Sequence, residues 1–429
     1  MKNFLKKMLL IAFLLGLSGT SIPANFPSYV TPSKLQEQPD KVIFDKAMTS
    51  ILPPEVTFMI VDLKYTDDGR VVIIEFGDGC GAGFKVLDHT IVPGIPWTNF
   101  WNFLKKDPNL KHLQTWFVGN PNPKLIVGWD TFKKLGGLEA PNLGALEKDR
   151  SFQYAVSSEK VETPKTLKDY KGIIILKRYQ PQKYVLEEFK KKYPQFLILN
   201  EATTKPAGNK KLTNELFDTP ELKEYRPRSL VFPKQYSPTL AQTIIDTLKC
   251  KRIFIKPINS GRGNGIVGVP QRKLDRALDL ILNKFNNYLP YDNNYVFHPN
   301  IPLTYQYWKY DRNSHFIVEE FVESKHITYR REPYDATIRT AFTLHHDGEG
   351  NIYLNFLGCY WKRPVKPVTA KASFRDKHIS KHAPNFYESL GGEVEQKDMD
   401  DMYKQLRKVL PDIYGNMLNN YYSQKPNSI

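Results

Sequence analysis

The segment KRIFIKPINSGRGNGIVGV, residues 251–269, ends an apolar strand-like run with Lys256 and follows it with Gly261, Gly263 and Gly265. Those residue types in that order suit a phosphate. Glycines let backbone N–H groups close on phosphate oxygens with no Cβ in the way, and a strand lysine adds a point charge for a polyphosphate. The loop is not a Walker loop, because no Gly-Lys-Ser/Thr follows, and a glycine-bearing hairpin alone is commonplace. The downstream sequence strengthens the signal. HFIVEEFV reads as a strand running into Glu319, Glu320, Phe321 and Val322. TIRTAF puts Arg339 in a strand, and YWKRP puts Lys362 and Arg363 at the end of its hairpin partner. Isolated arginines in a sheet are ordinarily surface ion pairs. Several cations converging from neighbouring strands beside a glycine loop match the charge of a triphosphate.

A second constellation lies nearer the start. VDLKYTDDGRVVIIEFGDG carries Asp62, a turn with Gly69 seven residues on, and Glu75 six residues after that. TDDG between two β-rich runs predicts a hairpin, which would bring one carboxylate from each strand face to face. Magnesium takes oxygen ligands and sits between one or two carboxylates and substrate phosphates. The glycines of EFGDGCGAGF admit two other readings. Gly77-x-Gly79-x-x-Ala82 meets the permissive dinucleotide-loop pattern, but that motif needs a helix immediately afterwards, and FKVLDHTIVPGIP is strand-like and broken by proline. In the other, the glycines make a tight turn and Glu75 is a solvated strand end.

The order of these segments resembles the ATP-grasp superfamily, whose members pair a strand lysine and glycine-rich loop with a nucleotide-hinge strand of vEeFv type. Basic residues on a later hairpin and a metal-binding carboxylate strand pair complete the family's site. The resemblance covers most of residues 205–365. It implies that Lys256, Ser260, Gly261, Gly263 and Gly265 face the phosphates and that the backbone around Glu319, Glu320 and Val322 holds the adenine edge. It also implies that Lys256, Arg339, Lys362 and Arg363 bind or neutralise the phosphoryl groups, Lys256, Arg339 and Arg363 in catalytic roles. NKKLT resembles the family segment whose lysine reaches the α-phosphate; Lys211 takes that place, with Lys210 its competitor. The family closes with a helix and a strand pair of form D…DG…E-x-N. Here the helix MYKQLRKVL is followed by LNNYYSQKPNSI without the strands. Asp62 and Glu75, with DG between them, match the closing pair in spacing, so the resemblance implies a circular permutation with the metal-binding hairpin moved to the N-terminal end. The pattern departs at the third ligand: the family's asparagine falls at Gly77, leaving Asp78, one residue on, as its stand-in. The implied cofactors are ATP and Mg2+. The implied activity is ATP-dependent carboxylate–amine or carboxylate–thiol ligation through an acyl-phosphate. The competing expectation is a non-catalytic exported nucleotide- or peptide-binding protein built on the same fold.

The expected class is mixed α+β and α/β. Residues 46–90 read as the permuted terminal strands, 91–204 as a pre-ATP-grasp or substrate domain, and 205–429 as the nucleotide-binding domain. In the middle part, GIIIL and FLILN flank the helical pattern VLEEFKKKY, a βαβ arrangement with a parallel sheet. In the last part come the helix LAQTIIDTL, the strand RIFIKP, the helix LDRALDLILNKF, a hairpin around DGEG and a final amphipathic helix. The aromatic stretch 283–314, with Tyr305, Tyr307, Trp308 and Tyr310, reads either as a substrate wall or as a packed surface loop.

A chain of 429 residues with 41% apolar residues is a folded protein, long enough for two or three domains sharing a large core. The formal charge of +16 is spread along the length, which describes a solvated basic surface suited to acidic partners. No signature for reading nucleic acid accompanies it, so the expected substrate is a small molecule or an acidic peptide. MKNFLKKMLLIAFLLGLSGTSIPAN has a basic start, an apolar run from Met8 to Leu17 and small residues after it. This predicts a secretory signal over 1–24, cleaved after Ala24, and a linker over 25–45; an uncleaved N-terminal helix is the alternative. The run is too short to span a bilayer comfortably, so the expectation is export without stable membrane insertion after cleavage. The three cysteines, Cys80, Cys250 and Cys359, fit neither a disulfide framework nor a zinc site.

Overall fold

A strand covered on both faces must pair or neutralise any charge it carries, and one strand of this chain meets that demand three times. The computed structural model describes residues 40–43, 52–79, 95–119, 129–156, 163–176, 182–261, 263–284, 303–379 and 390–423. The expected signal over 1–24 and Cys80 to Gly83 lie outside the described residues. Strand β1 (Asp40–Ile43) precedes the hairpin of β2 (Glu55–Tyr65) and β3 (Val71–Asp78). All eleven residues of β2 are buried. Met59, Val61 and Leu63 pack into the core on one side, and Val56, Phe58 and Ile60 into the core on the other, as the two-residue period of a strand requires. Glu55, Asp62 and Lys64 are buried in the same strand, and burial without a partner would cost several kcal/mol for each charge.

Helix α1 (Ile95–Lys106) places Trp97, Phe100, Trp101 and Leu104 at i, i+3, i+4 and i+7, all buried, and ends in Lys105 and Lys106. That spacing makes one apolar face, and the terminal lysines meet the negative end of the helix dipole. Phe100 stacks on Phe58 at 4.4 Å between ring centroids, which fixes α1 on one face of β2. Next come β4 (Gln114–Val118), β5 (Leu138–Ala140), β6 (Gly172–Leu176), α2 (Lys183–Lys192) and β7 (Phe196–Ile198). They form a four-stranded parallel sheet in the order β5-β4-β6-β7. GIIIL is continuously apolar because both faces are covered: Ile173 and Ile175 enter the core beneath α1, and Ile174 the core beyond.

Two short helices, α3 (Thr204–Gly208) and α4 (Lys210–Glu215), lead into β8 (Ser229–Pro233), α5 (Leu240–Leu248), β9 (Arg252–Pro257) and β10 (Val267–Pro270). These are followed by α6 (Leu274–Asp279), α7 (Leu303–Tyr310) and β11 (His315–Glu320). The strands make an antiparallel sheet in the order β10-β9-β11-β8. Ile253, Ile255, Phe316 and Val318 join α5 and α6 in one core, so Phe254, Lys256, Ile317 and Glu319 point to the opposite face. The aromatic stretch is partly resolved by α7: Trp308 belongs to the core, 1% exposed, and is not a free substrate wall.

A small hairpin, β12 (Ile327–Tyr329) and β13 (Glu332–Tyr334), precedes β14 (Thr337–His346) and β15 (Asn351–Arg363). These last two return to the first sheet, whose order is β1-β15-β14-β2-β3. Helix α8 (Phe374–His378), strand β16 (Leu390–Gly392), which pairs with β15, and the 28-residue α9 (Gln396–Ser423) complete the described chain. α9 lays Met399, Met402, Leu406, Leu410, Ile413 and Met417 on the large sheet. The protein is thus a mixed α/β structure with several sheets, as its sequence predicts. Among the described residues, no helix is long and apolar enough to cross a membrane.

Candidate functional site

Four strands of the large sheet carry one polar row. Tyr360 of β15 faces Arg339 of β14, Arg339 faces Asp62 of β2, and Asp62 faces Glu75 of β3. Cross-strand partners share a face, so these side chains lie together at one end of the face that α1 covers further along. Arg339 donates from Nε to Asp62 Oδ1 at 2.7 Å and from a terminal nitrogen to Oδ2 at 2.8 Å. Lys362, two residues beyond Tyr360 on the same face, donates to Asp62 Oδ2 at 2.7 Å. Burial works to raise the Asp62 pKa, but the charges and hydrogen bonds of Arg339 and Lys362 overcome it and hold the carboxyl below the usual carboxylate range. For Lys362, burial and the charge of Arg339 outweigh Asp62 and move its pKa down. One carboxylate against two cations leaves this trio with a net charge of +1.

The smaller antiparallel sheet presents a second cluster. Lys256 and Glu319 are diagonal neighbours across β9 and β11 and form a buried ion pair. The other Glu319 oxygen accepts from Arg226 at 2.8 Å. Burial favours neutral forms of both Lys256 and Glu319. In Lys256 it prevails and lowers the pKa; in Glu319 the charges of Lys256 and Arg226 prevail and keep the carboxyl ionised. Arg226 also donates to the carbonyls of Ile73 and Ile74, where β3 slips register between its pairing with Asp62 and with Leu63. A bulge frees carbonyls from the ladder, and Arg226 takes them.

Lys210 joins the two clusters. Asn209 caps α4 by accepting from Leu212 N at 3.1 Å, a stabilising N-cap. Lys210, the first residue of the helix, is buried with its ammonium on the Ser260 carbonyl and 3.5 Å from Glu75 Oε1. The glycine loop of β9–β10, Lys210 and the end of the polar row are therefore contiguous. Gly263 and Gly265 have φ of +67° and +70°, values that favour glycine. A Cβ at Gly265 would stand 2.5 Å from Pro257 Cγ.

The predicted site residues fall into three groups. Lys256, Ser260, Gly261, Gly263 and Gly265 lie together on β9 and its loop, and Asp62, Glu75, Arg339 and Lys362 in the row beside Lys210. A second group is committed elsewhere. Glu319 is the counter-ion of Lys256 and Arg226. Glu320 pairs with Arg228 at 2.7 Å, its N–H donates to the Arg228 carbonyl, and Val322 follows the strand's end, half-buried. The third group differs from the expectation in direction. Lys210, not Lys211, is the buried lysine turned to the loop, because one residue along a helix is a rotation of about 100°. Arg363 is adjacent to Lys362 and so points to the other face, where its guanidinium lies 3.3 Å from the Tyr329 ring centre. Asp78 pairs with Met59, not with the Asp62 side of β2, and accepts from Asn200 Nδ2 at 2.6 Å. An odd spacing from Glu75 puts it on the opposite face of the sheet.

The donor set therefore does not fit a three-carboxylate magnesium site. Asp62 has both oxygens on cations, Asp78 is across the sheet, and Glu75 alone keeps an open side, 36% exposed. Gly77 shares the row's face, but a Cβ there would stand 2.7 Å from Ile60 Cδ1, so an asparagine would require Ile60 to move. Among the described residues, no three His, Cys, Asp or Glu side chains converge to hold a metal ion. Sequence reasoning missed Arg226: nothing in EYRPRS marks it, and its partners are 93 and 152 residues away.

No protein-family model matches the chain, and no curated protein matches it either. Among solved structures, D-alanyl-alanine synthetase A from Vibrio cholerae is similar over 71% of this chain and 82% of its own, with 10% identity and a TM-score of 0.30. D-alanine-D-alanine ligase from Coxiella burnetii is similar over 73% of this chain and 96% of its own, with 7% identity and a TM-score of 0.28. Overlaps this shallow decide nothing about the chain, whose chemistry is read from its own residues.

Proposed function

We propose that this protein is an ATP-dependent ligase that joins a carboxylate to an amine or thiol, built on a circularly permuted ATP-grasp domain. The observation that supports it most is the meeting of Lys210, Lys256 and the glycine loop with Glu75, at the end of the row that holds Arg339 and Lys362. Cations from two sheets are thus gathered in one region, as the binding of a polyphosphate requires. The pairing of β2–β3 with β14 is what a closing hairpin moved to the N-terminal end would give.

In this reading Lys210 contacts the phosphates directly. Its 3.5 Å approach to Glu75 is looser than the ion pairs of Asp62, so exchanging Glu75 for phosphate costs least. Arg339 and Lys362, fixed by Asp62, form a positive wall already oriented before the reaction, which is how charge developing in a transition state is stabilised most effectively. A substrate carboxylate oxygen attacks the γ-phosphorus, ADP leaves, and an acyl-phosphate forms. The amine or thiol then attacks the acyl carbon, phosphate leaves with the bonding pair, and the nucleophile's proton passes to solvent. Glu75, the carboxylate of the three with an open side, is the residue that would hold a magnesium ion, and the ion would supply charge to neutralise the phosphates. The substrate is a small carboxylic acid or an acidic peptide, suited to the basic surface, and export through residues 1–24 belongs to the same proposal.

The commitment of Asp62 and the placement of Asp78 favour a second reading, a nucleotide-binding protein without turnover. Thermal shift with ATP, with and without magnesium, separates the two. The wild type is expected to rise in melting temperature with Mg-ATP, and Lys210→Ala and Lys256→Met to lose that rise. No shift in the wild type overturns both readings. A shift without ADP or AMP formation across a panel of acids, amines and thiols selects the binding protein.

A further inference from the structure

The residues after β15 cross back over the glycine loop, and nothing in the nucleotide reading gives them work. Their last part, α8 and Ile379, packs onto the loop and its flanking strand. Phe374 fills the space above Gly268, where a Cβ would be 2.3 Å from its ring, and packs on Phe254 and Phe321 at 5.5 and 5.0 Å. Ile379 Cγ2 stands 2.8 Å from where Gly263 would carry a Cβ. Arg375 donates to the Gly263 carbonyl at 2.9 Å and to Thr304 Oγ1 of α7. This strap is anchored to the large sheet: His378 Nδ1 lies 2.7 Å from Asp335 Oδ2, while Asp335 Oδ1 accepts from Lys64 Nζ of β2 at 2.7 Å and from Ser324 N at 2.8 Å.

The loop is gripped from a second side. Trp308 Nε1 donates to the Gly265 carbonyl at 2.7 Å, with both groups buried. Two carbonyls, two residues apart, are thus drawn to donors on separate elements. Glycine at positive φ meets little steric constraint, so hydrogen bonds set the orientation of its peptide, and a flip would turn a carbonyl oxygen toward whatever lies against the loop. The Gly263–Asn264 peptide is held at both ends, because the Asn264 N–H donates to the Gly261 carbonyl at 3.1 Å while Arg375 holds the Gly263 carbonyl.

We propose that Arg375 and Trp308 are positioning residues for the phosphate loop: they hold the Gly263 and Gly265 carbonyls away from a bound polyphosphate, so that the loop does not meet the anion with its oxygens. The inference rests on the nucleotide reading above. It predicts dependence on the β- and γ-phosphates, which a general structural role for the strap would not produce. Calorimetric titration of the full chain with Mg-ATP and with AMP tests it, on the wild type, Arg375→Met, Arg375→Lys and Trp308→Phe. In Arg375→Met and Trp308→Phe, which remove the donor, ATP is expected to bind about tenfold more weakly, the loss of one hydrogen bond that matters for a charged ligand, while AMP affinity stays at the wild-type value. Arg375→Lys, which keeps a donor, is expected to recover most of the ATP affinity. If Trp308→Phe fails to fold, the two Arg375 variants, at a half-buried site, carry the test. ATP and AMP weakening alike, or neither weakening in variants of a wild type that binds ATP, overturns the proposal and leaves the nucleotide reading intact. A wild type that binds neither nucleotide overturns both.

Discussion

At the scale of single residues, the chemistry of this protein is governed by which carboxylates are already spoken for. Asp62 sits inside a strand covered on both faces, with Arg339 and Lys362 on its two oxygens. Replacing it by asparagine leaves two buried cations facing a neutral amide. Asp62→Asn is therefore expected to lower stability by about 3–5 kcal/mol, measured by urea denaturation. Asp107 shows the opposite case. It follows α1, is 2% exposed, and has Oδ2 unpaired 3.9 Å from His345 Nε2, itself fully buried. Burial pushes the Asp107 carboxyl up to about 6 and the His345 imidazole down to about 3. A carboxyl whose folded pKa lies above its unfolded value contributes stability below the unfolded pKa, near 4, and loses it as pH rises through 6. Asp107→Asn is expected to be more stable than the wild type at pH 8 by on the order of 2 kcal/mol, with the gain gone by pH 4. His345, with its pKa depressed, acts in the reverse sense: its contribution is present above pH 6.5 and is lost as pH falls toward 3. Equal unfolding midpoints for Asp107→Asn and wild type at both pH values would refute the assignment.

At the scale of elements, apolar patterning was a good guide. GIIIL and RIFIKP form the strands β6 and β9, and LAQTIIDTL forms the helix α5, as their sequences predict. Turns were less legible when their residue types were unusual. The β12–β13 hairpin turns through Arg330 and Arg331 at φ of 51° and 68°, a conformation that hairpins normally reserve for Asn-Gly, and no glycine or asparagine announces it. Each non-glycine residue in that region costs roughly 1–2 kcal/mol, and both arginines are exposed. Replacing the pair by Asn-Gly is expected to stabilise the protein by about 1 kcal/mol, read as a higher melting temperature. Within the site, Asp78 was the residue whose misplacement could have been foreseen, because three positions along a strand always reverse the face.

At the scale of the molecule, the large sheet joins residues 55–78 to residues 337–363. β14 is buried along all ten of its residues because β2 covers one edge and β15 the other. A chain beginning at residue 205 would leave that edge open and remove β2 and β3 from the core beneath α9. It is expected to give no cooperative unfolding transition by circular dichroism and to aggregate, as an unprotected apolar strand edge does. A soluble, cooperatively folding 205–429 would show that the two parts are independent.

The sequence by itself determined what depends on neighbours along the chain: the two hairpins, the glycine loop after Lys256, the amphipathic helices and the facing of Asp62 and Glu75 across one turn. These follow from strand and helix periods and from turn chemistry, which are local. Only the tertiary structure decided what each charge does. Arg339 and Lys362 reach Asp62 across 277 and 300 residues, Arg226 reaches the bulge of β3, and Lys210 rather than its neighbour turns to the loop. A charge buried in a fold takes whichever partner the packing brings within reach, and that choice is not written in the residues beside it.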